Sequence, residues 1–215
     1  NKGITEQDVL CAAQALARAG INHLKLYFMI GLPTETEDDL AELLLLTDKV
    51  RKALLGVGRE TGRMGNITLS VNSFVPKAWT PFQFHGFASL TALKNNIKFL
   101  RKGVAGMANT RLVVDQPANA LYQAVLARGD RRVGLALYAM LQSGKNWRQT
   151  LQDCGLVSEE YAMRQRGQEE VFPWEIIDHG IDRQYLWAEY QKALEEKSTI
   201  ACETKHCRRC GVCHG

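Results

Sequence analysis

The sequence predicts an α/β protein that forms the C-terminal part of a partial (βα) TIM-like barrel, followed by a helical extension and a cysteine-rich metal-binding tail. Helical and strand-like patterns alternate up to residue 115, an order typical of the second half of a parallel (βα) barrel. Beyond residue 115 the pattern indicates helices alone, and four of the six cysteines lie between Cys202 and Cys213. We therefore expect three parts, at residues 1–115, 116–199 and 200–215.

Length and composition indicate a folded protein and exclude a membrane-spanning one. With 215 residues, 46% of them hydrophobic, the chain can bury a sizeable core. A net charge of +4 is mild and does not by itself indicate a nucleic-acid partner. There is no long apolar run that would span a membrane, and clustered cysteines favour a reducing compartment, so we expect a cytoplasmic protein. Because the chain starts at Asn1 and enters a helix at once, we expect it to be a piece of a longer protein.

The first strand is the apolar run from Leu24 to Ile30, which we predict to be buried on both faces. A helix opened by Thr5 and Asp8 precedes it, and Gly31-Leu32-Pro33 ends it in a turn. Thr36 then caps a second helix predicted over residues 37–55, before a glycine-rich loop at residues 56–65.

The turn after the first strand is the predicted ligand site, because α/β folds bind ligands at the carboxyl ends of strands. A plain βα turn with a capped helix is the other interpretation, and it is favoured by spacing alone. The helix start is strongly acidic, which would repel phosphate and favours a neutral or cationic ligand. The acidic residues are Glu35, Glu37, Asp38 and Asp39.

The second strand, predicted over residues 66–76, alternates between an apolar row and a polar row made by Thr68, Ser70 and Asn72. The polar row is either the wall of a site or the wet side of a half-solvated strand, and period two does not decide between them. Residues 75–83 are too irregular for a regular element and read as a loop anchored by Trp79 and Phe82.

The rest of the chain predicts a helix after Ser89, a short strand over residues 110–114, and then helices only. The later helices are predicted at residues 118–127, 131–141, 147–154, 159–166 and 183–195. The segment at residues 128–132, Arg-Gly-Asp-Arg-Arg, is a basic contact to RNA or an anionic substrate, or a turn capped by Asp130 with solvated arginines. We favour the turn. His179 has no evident partner in the sequence, so we interpret it as a structural and not a catalytic histidine.

Residues 27–36, YFMIGLPTET, resemble the fifth-strand motif of radical S-adenosylmethionine (SAM) enzymes, in the branch whose full-length members carry an N-terminal cobalamin-binding domain. Val-Pro-Lys at residues 75–77 and Thr-Pro-Phe-Gln at residues 80–83 also resemble that branch, although Ala78-Trp79 stands where Pro-His is usual. The resemblance extends to the Arg-Gly-Asp-Arg-Arg segment and the cysteine-rich end. It implies that Ile30, Gly31 and Pro33 lie beside the adenine of SAM, and that Asn72, Ser73 and Phe74 lie near the cofactor or substrate.

The tail spaces Cys202, Cys207, Cys210 and Cys213 by four, two and two residues, with no apolar face for them to join. Four soft ligands in so short a segment indicate a metal site. The spacing is nearer to that of a [4Fe–4S] cluster than to structural zinc, although both metals stay open. His206 and His214 are possible substitute ligands.

The resemblance implies that the intact protein is a radical SAM enzyme using SAM and a reduced [4Fe–4S] cluster. The Cx3Cx2C loop that holds the catalytic cluster is absent here, so we expect this piece alone to be inactive. The resemblance identifies no catalytic residue in this sequence. The expected partner is the missing N-terminal part of the same protein, with cobalamin bound through its own domain. The alternative is a non-enzymatic zinc knuckle that binds RNA or a protein through basic residues at 128–132 and 205–209.

Overall fold

A computed structural model describes residues 3–203 and 206–213, and these form a mixed α/β structure with a small parallel sheet and many helices. The chain divides into two compact units. Residues 3–73 and 90–117 form the N-terminal unit, and residues 74–89 and 118–213 form the C-terminal unit. The predicted division into three parts stays a prediction, and so do the roles of Lys205 and His214, which lie outside the described residues.

The N-terminal unit alternates helices and strands as the sequence predicts. Its elements are α1 (Glu6–Arg18), β1 (His23–Ile30), α2 (Glu37–Thr61), β2 (Asn66–Ser73), α3 (Leu90–Ala105) and β3 (Thr110–Val114). The three strands are parallel in the order β1-β2-β3. This is the arrangement that consecutive βα units give, because each helix carries the chain back to start the next parallel strand.

The helices pack against one face of the sheet. Leu24 of β1 and Ile67 of β2 share a buried cluster with side chains of α1 and α2. Because successive strand residues point to opposite faces, the alternate residues make a second face turned away from these helices. We call this second face the far face. It carries Lys25, Tyr27, Met29, Thr68, Ser70, Asn72, Arg111 and Val113, which stand in matching register across the three strands.

The prediction that β1 is buried on both faces is wrong. Tyr27 is 68% exposed and Met29 is 54% exposed, whereas Ile30 on the helix side is fully buried. The apolar run gave a misleading signal because two large apolar residues occupy the far face of an edge strand. The far face is therefore lined by both polar and large apolar groups.

The prediction that α2 ends near residue 55 is also wrong. The helix continues through Gly56 and Gly58 to Thr61 and ends at Gly62, which has a positive φ of 69°. Val57 is buried and extends the apolar stripe of the helix. A Cβ at position 58 would lie 2.6 Å from the Arg63 carbonyl oxygen, so glycine serves close chain approach there and not loop formation.

The C-terminal unit is helical, close to the predicted bounds. Its helices are α4 (Pro117–Arg128, which starts at the unit boundary), α5 (Arg131–Ser143), α6 (Trp147–Asp153), α7 (Ser158–Ala162) and α8 (Arg183–Leu194). Asp130 caps α5 as predicted, accepting a hydrogen bond from the backbone N–H of Arg132. Two short 3-10 turns are also present, at Pro81–Phe84 and Pro173–Ile176, and the first occupies part of the segment predicted to be irregular.

An aromatic cluster forms the core of the C-terminal unit. Phe84, Phe172 and Tyr190 are buried at its centre. Trp79 and Phe82 pack against this cluster, as the sequence predicts for anchor residues. His179 packs its ring 5.4 Å from that of Trp79, which supplies the partner that the sequence did not reveal. In the described part of the chain, no helix is both long and apolar enough to cross a membrane.

Candidate functional site

The turn after β1 is held by one carboxylate. Gly31 has a φ of 78°, a left-handed conformation that glycine adopts without strain. Its backbone N–H donates to Glu35 Oε1 at 2.8 Å, and the side-chain amide of Asn96 donates to the same oxygen at 2.8 Å. Burial raises the pKa of Glu35, and the hydrogen bonds from Gly31, Leu32 and Asn96 act in the opposite direction. The carboxylate thus joins the turn to α3.

The start of α2 uses its own acidic residues. Asp39 Oδ2 accepts hydrogen bonds from the backbone N–H and the hydroxyl of Thr36, at 2.7 and 2.9 Å. These bonds lower the pKa of Asp39, so the carboxylate stays ionised at the helix N-terminus. The helix start therefore carries negative charge beside the turn, and the expectation of a ligand that is not a phosphate stays a prediction.

Polar groups meet at the carboxyl edge of the far face. Asn72 near the end of β2, with its amide nitrogen turned towards Asp115, donates to Asp115 Oδ2 at 3.0 Å. Asp115 is exposed and directly follows β3. Met29 is the register partner of Asn72 on β1. This edge thus offers a thioether, an amide and an exposed carboxylate on one side of the sheet, which we call the carboxyl-edge group.

A second set of polar groups lies at the opposite, amino edge of the sheet. Thr68 Oγ1 accepts a hydrogen bond from Arg111 Nε at 3.0 Å and lies 2.8 Å from His23 Nε2. These residues line a cavity of about 370 Å³. Ligands of parallel sheets bind at the carboxyl edge, so this amino-edge network is the weaker candidate.

The predicted cofactor residues fall in different environments. Ile30 is fully buried on the helix side, backbone included, and Gly31 and Pro33 are half-buried in the turn. Ser73 pairs in register with Ile30, and within the described residues its buried hydroxyl has no hydrogen-bond partner. Phe74 belongs to the C-terminal unit, where its ring meets that of Phe82 edge-on at 5.3 Å.

The cysteine tail is tied back by one arginine. Arg209 Nη2 donates to the carbonyls of Ile200 and Ala201, at 3.2 and 3.1 Å, and its Nε donates to Cys207 Sγ at 3.3 Å. The Cys210 carbonyl accepts from the backbone N–H of Asp182 at 2.8 Å, which fixes the tail to the start of α8. These contacts fold the tail into a loop instead of leaving it extended.

The four tail thiols form no disulfide bonds, and they influence one another electrostatically. Burial, followed by the thiols of Cys207, Cys213 and Cys210, raises the pKa of Cys202, and hydrogen bonds from Arg209 lower the pKa of Cys207. Within residues 3–203 and 206–213, no three His, Cys, Asp or Glu side chains are gathered closely enough to hold a metal ion. The donor set thus fits a thiophilic metal by chemistry, and binding would have to draw the thiols together.

The prediction of solvated arginines at residues 128–132 is correct for Arg132 and wrong for Arg128. Arg132 is exposed and pairs with Asp130 at 2.7 Å. Arg128 is fully buried and donates to four backbone carbonyls, which gives it a structural role that a charged residue seldom has. Those carbonyls belong to Tyr161, Gln83, His85 and Arg164.

Sequence reasoning missed Asp115 and Glu35 as members of the candidate site. Asp115 could have been found, because it directly follows the third strand just as Gly31 follows the first. Glu35 was interpreted only as one of several acidic residues at the start of the helix. Its role depends on Asn96, which is 61 residues away in the sequence, and no local pattern reveals that contact.

Comparison with known proteins shows similarity to an archaeal protein. Over 132 residues, 61% of this chain, the sequence is 33% identical to an uncharacterised protein of Methanocaldococcus jannaschii. The matched part spans only 27% of that protein's length. No protein-family model matches the chain, and no solved structure matches it.

Proposed function

We propose that this chain is the C-terminal portion of a radical SAM protein of the cobalamin-binding type, and that its sheet orients SAM. The observation that carries the proposal is the carboxyl-edge group beside the Gly31 turn. A parallel sheet covered by helices on one face, with polar groups at the carboxyl edge of the other, is what a segment of a (βα) barrel requires.

The electrostatics of this edge support a cationic ligand. SAM carries a sulfonium and an ammonium group, and Asp115 offers an exposed carboxylate on the same side of the sheet. The acidic start of α2 adds negative charge near the turn. In the proposal Asp115 accepts hydrogen bonds from SAM and Asn72 holds the Asp115 carboxylate in place.

The turn itself constrains how adenine is recognised. The N–H of Gly31 already donates to Glu35, so it is not free for a base. Adenine contacts in the proposal therefore come from the half-buried turn, through the Gly31 carbonyl and the surface of Pro33. Ile30 is fully buried, so in the proposal it supports the turn from below by packing.

The proposal also assigns a place to each metal-containing cofactor. When bound, the upstream [4Fe–4S] cluster supplies the electron for reductive cleavage of SAM, and the residues of this chain orient the cofactor. Cobalamin belongs to a further domain in this proposal. Cys202, Cys207, Cys210 and Cys213 would hold an auxiliary iron–sulfur cluster or zinc ion in the tail.

A methyl NMR titration tests the proposal. The chain is labelled with [methyl-13C]methionine and titrated with unlabelled SAM. We expect the Met29 signal, from the far face, to shift saturably, and the Met140 signal, from α5, to stay unchanged. Asp115→Asn should weaken SAM binding about tenfold, since it removes a charge-assisted hydrogen bond. Asp153→Asn, which alters an exposed aspartate of α6, is the matched control and should leave binding unchanged.

Two outcomes would contradict the proposal. One is a Met29 signal that SAM leaves unmoved, and the other is SAM affinity that Asp115→Asn does not change. The alternative, a zinc-knuckle module that binds RNA or a protein partner, is favoured by the exposed Arg208 and Arg209 beside the tail thiols. Salt-dependent RNA binding together with no response to SAM would support it.

A further inference from the structure

A cavity of about 340 Å³ in the C-terminal unit is rich in arginine. It lies between the segment at residues 128–132 and residues 160–173, and its lining shares no residue with the sheet site assigned above. Four arginines line it, against three carboxylates. The arginines are Arg128, Arg132, Arg164 and Arg166.

Arg166 is the unusual member of this set. Its side chain is only 4% exposed, and its guanidinium lies over the rings of Phe172 and Trp174, at 5.4 and 5.0 Å from their centres. Its Nη2 donates to the Arg128 carbonyl at 2.6 Å. Within the described residues, its Nε and Nη1 have no hydrogen-bond partner. A buried charged group with two unused donors is costly unless a ligand satisfies them.

The nearby carboxylates are already engaged. Asp130 is held by Arg132, with Arg132 Nη2 2.7 Å from Asp130 Oδ2. Glu170 accepts two hydrogen bonds from Arg164, at 2.7 and 2.5 Å, and its Oε1 stays 3.8 Å from Arg166 Nε, too far for a hydrogen bond. Glu160 is exposed at the rim of the cavity.

Positive charge is therefore in excess inside the cavity wall. Arg128 donates only to carbonyls, so Arg128 and Arg166 are two buried cations without a carboxylate at hydrogen-bond distance in the described residues. Burial, together with the positive charges of Arg166 and Arg164, lowers the pKa of Arg128 to about 10. An incoming anion would offset this excess of four arginines over three carboxylates.

We infer that this cavity binds the phosphate group of a small phosphate ester, with Arg166 Nε and Nη1 as donors. Guanidinium groups match phosphate oxygens in geometry, and a phosphate group presents more acceptor oxygens to them than a carboxylate does. A mainly apolar groove of about 970 Å³ shares Val171 and Pro173 with the cavity and adds Trp174 and Ile176. The organic part of the ester lies along this groove.

Isothermal titration calorimetry of the 215-residue chain tests the inference with two probes, inorganic phosphate and phenyl phosphate. Both should bind saturably at one site, and phenyl phosphate should bind more tightly because its ring contacts the apolar groove. Arg166→Gln should weaken both probes by about tenfold or more, since it removes charged hydrogen bonds. Arg148→Gln, an exposed arginine of α6, is the matched control and should leave both affinities unchanged.

A second variant keeps the test valid if Arg166→Gln does not fold. Arg164→Gln alters a half-exposed side chain of the same cavity and should weaken phosphate binding with the fold retained. The inference is overturned if neither probe binds the wild-type chain, or if the variants bind as tightly as wild type. It is also overturned if acetate competes as well as phosphate, or if an oligoribonucleotide binds where phenyl phosphate does not, since the cavity would then recognise a carboxylate or a nucleic-acid backbone.

Discussion

At the residue scale, His85 belongs to a hydrogen-bonded chain in the C-terminal unit. Its Nδ1 lies 2.9 Å from the Tyr190 hydroxyl, and that hydroxyl accepts from the Gln165 amide at 3.0 Å. The Tyr190 proton is therefore available to His85 Nδ1, which then has to be the unprotonated nitrogen of a neutral imidazole. Burial, and after it the charge of Arg128, lowers the pKa of His85.

This contact predicts a loss of stability in acid. Above pH 6.5, the ordinary histidine pKa, the imidazole is neutral both folded and unfolded, so it adds no pH dependence. Below pH 6.5 the unfolded chain takes up the proton first, and the free energy of unfolding falls until the pH passes the lower folded pKa. Melting temperatures measured across this range should fall less steeply for His85→Gln than for wild type. Equal slopes would show that His85 does not titrate in this way.

The surroundings of Arg128 and Arg132 show which features of single residues could be predicted from the sequence and which could not. The cap made by Asp130 is local and was predicted, because the residues that make it are adjacent in sequence. The burial of Arg128 was not predicted, because its carbonyl acceptors come from segments more than 30 residues away in both directions. An arginine that binds only backbone carbonyls leaves no charged partner for a sequence pattern to reveal.

At the element scale, the segment that follows the first 3-10 turn pairs closely with the end of α7. Phe87 N donates to the Ala162 carbonyl, and Arg166 N donates to the Phe84 carbonyl, both at 2.8 Å. Gly86 lies between these bonds, and a Cβ there would be 2.0 Å from the Met163 carbonyl oxygen. The close approach is to backbone, which cannot rotate aside as a side chain does.

Gly86→Ala should therefore destabilise the C-terminal unit by about 2–3 kcal/mol, the cost of forcing atoms into a packed site. Gly134→Ala is the matched control, because a Cβ at position 134 meets nothing within 4 Å in the middle of α5. It should stabilise the unit by about 0.5–1 kcal/mol through helix propensity. Urea unfolding followed by tryptophan fluorescence measures both variants, since Trp79, Trp147, Trp174 and Trp187 all lie in this unit. Equal midpoints for Gly86→Ala and wild type would contradict the clash.

The elements themselves were largely predictable. Capping residues and apolar periodicity gave the α1 start at Glu6 and the β3 bounds at Thr110–Val114. The end of α2 was not predictable, because Gly56 and Gly58 indicate a loop locally, whereas the burial of Val57 depends on residues distant in sequence. The exposed side of β1 was missed for a related reason: a run of apolar residues does not reveal that a strand lies at an edge.

At the scale of the whole molecule, a three-stranded parallel sheet and a thiol-rich tail coexist in one chain. The sheet was predictable from the alternation of elements, whereas closure into a barrel depends on strands beyond these three. The carboxyl-edge group was predictable in part, since Asn72 was selected and Asp115 was not. The metal site predicted from the four tail thiols stays a prediction, because within the described residues the thiols are not gathered around one point.

Metal binding by the tail, and the identity of the metal, would decide between the two proposals for the whole chain. Anaerobic reconstitution with iron and sulfide, followed by Mössbauer spectroscopy and metal analysis, should give about four irons per chain if the tail binds a [4Fe–4S] cluster. The double variant Cys207→Ala, Cys210→Ala should lose them, because it removes two of four ligands. Cys11→Ala, Cys154→Ala is the matched control, since both are exposed free thiols outside the tail. About one tightly held zinc per chain and no iron would instead make the tail a structural knuckle and favour a partner-binding role.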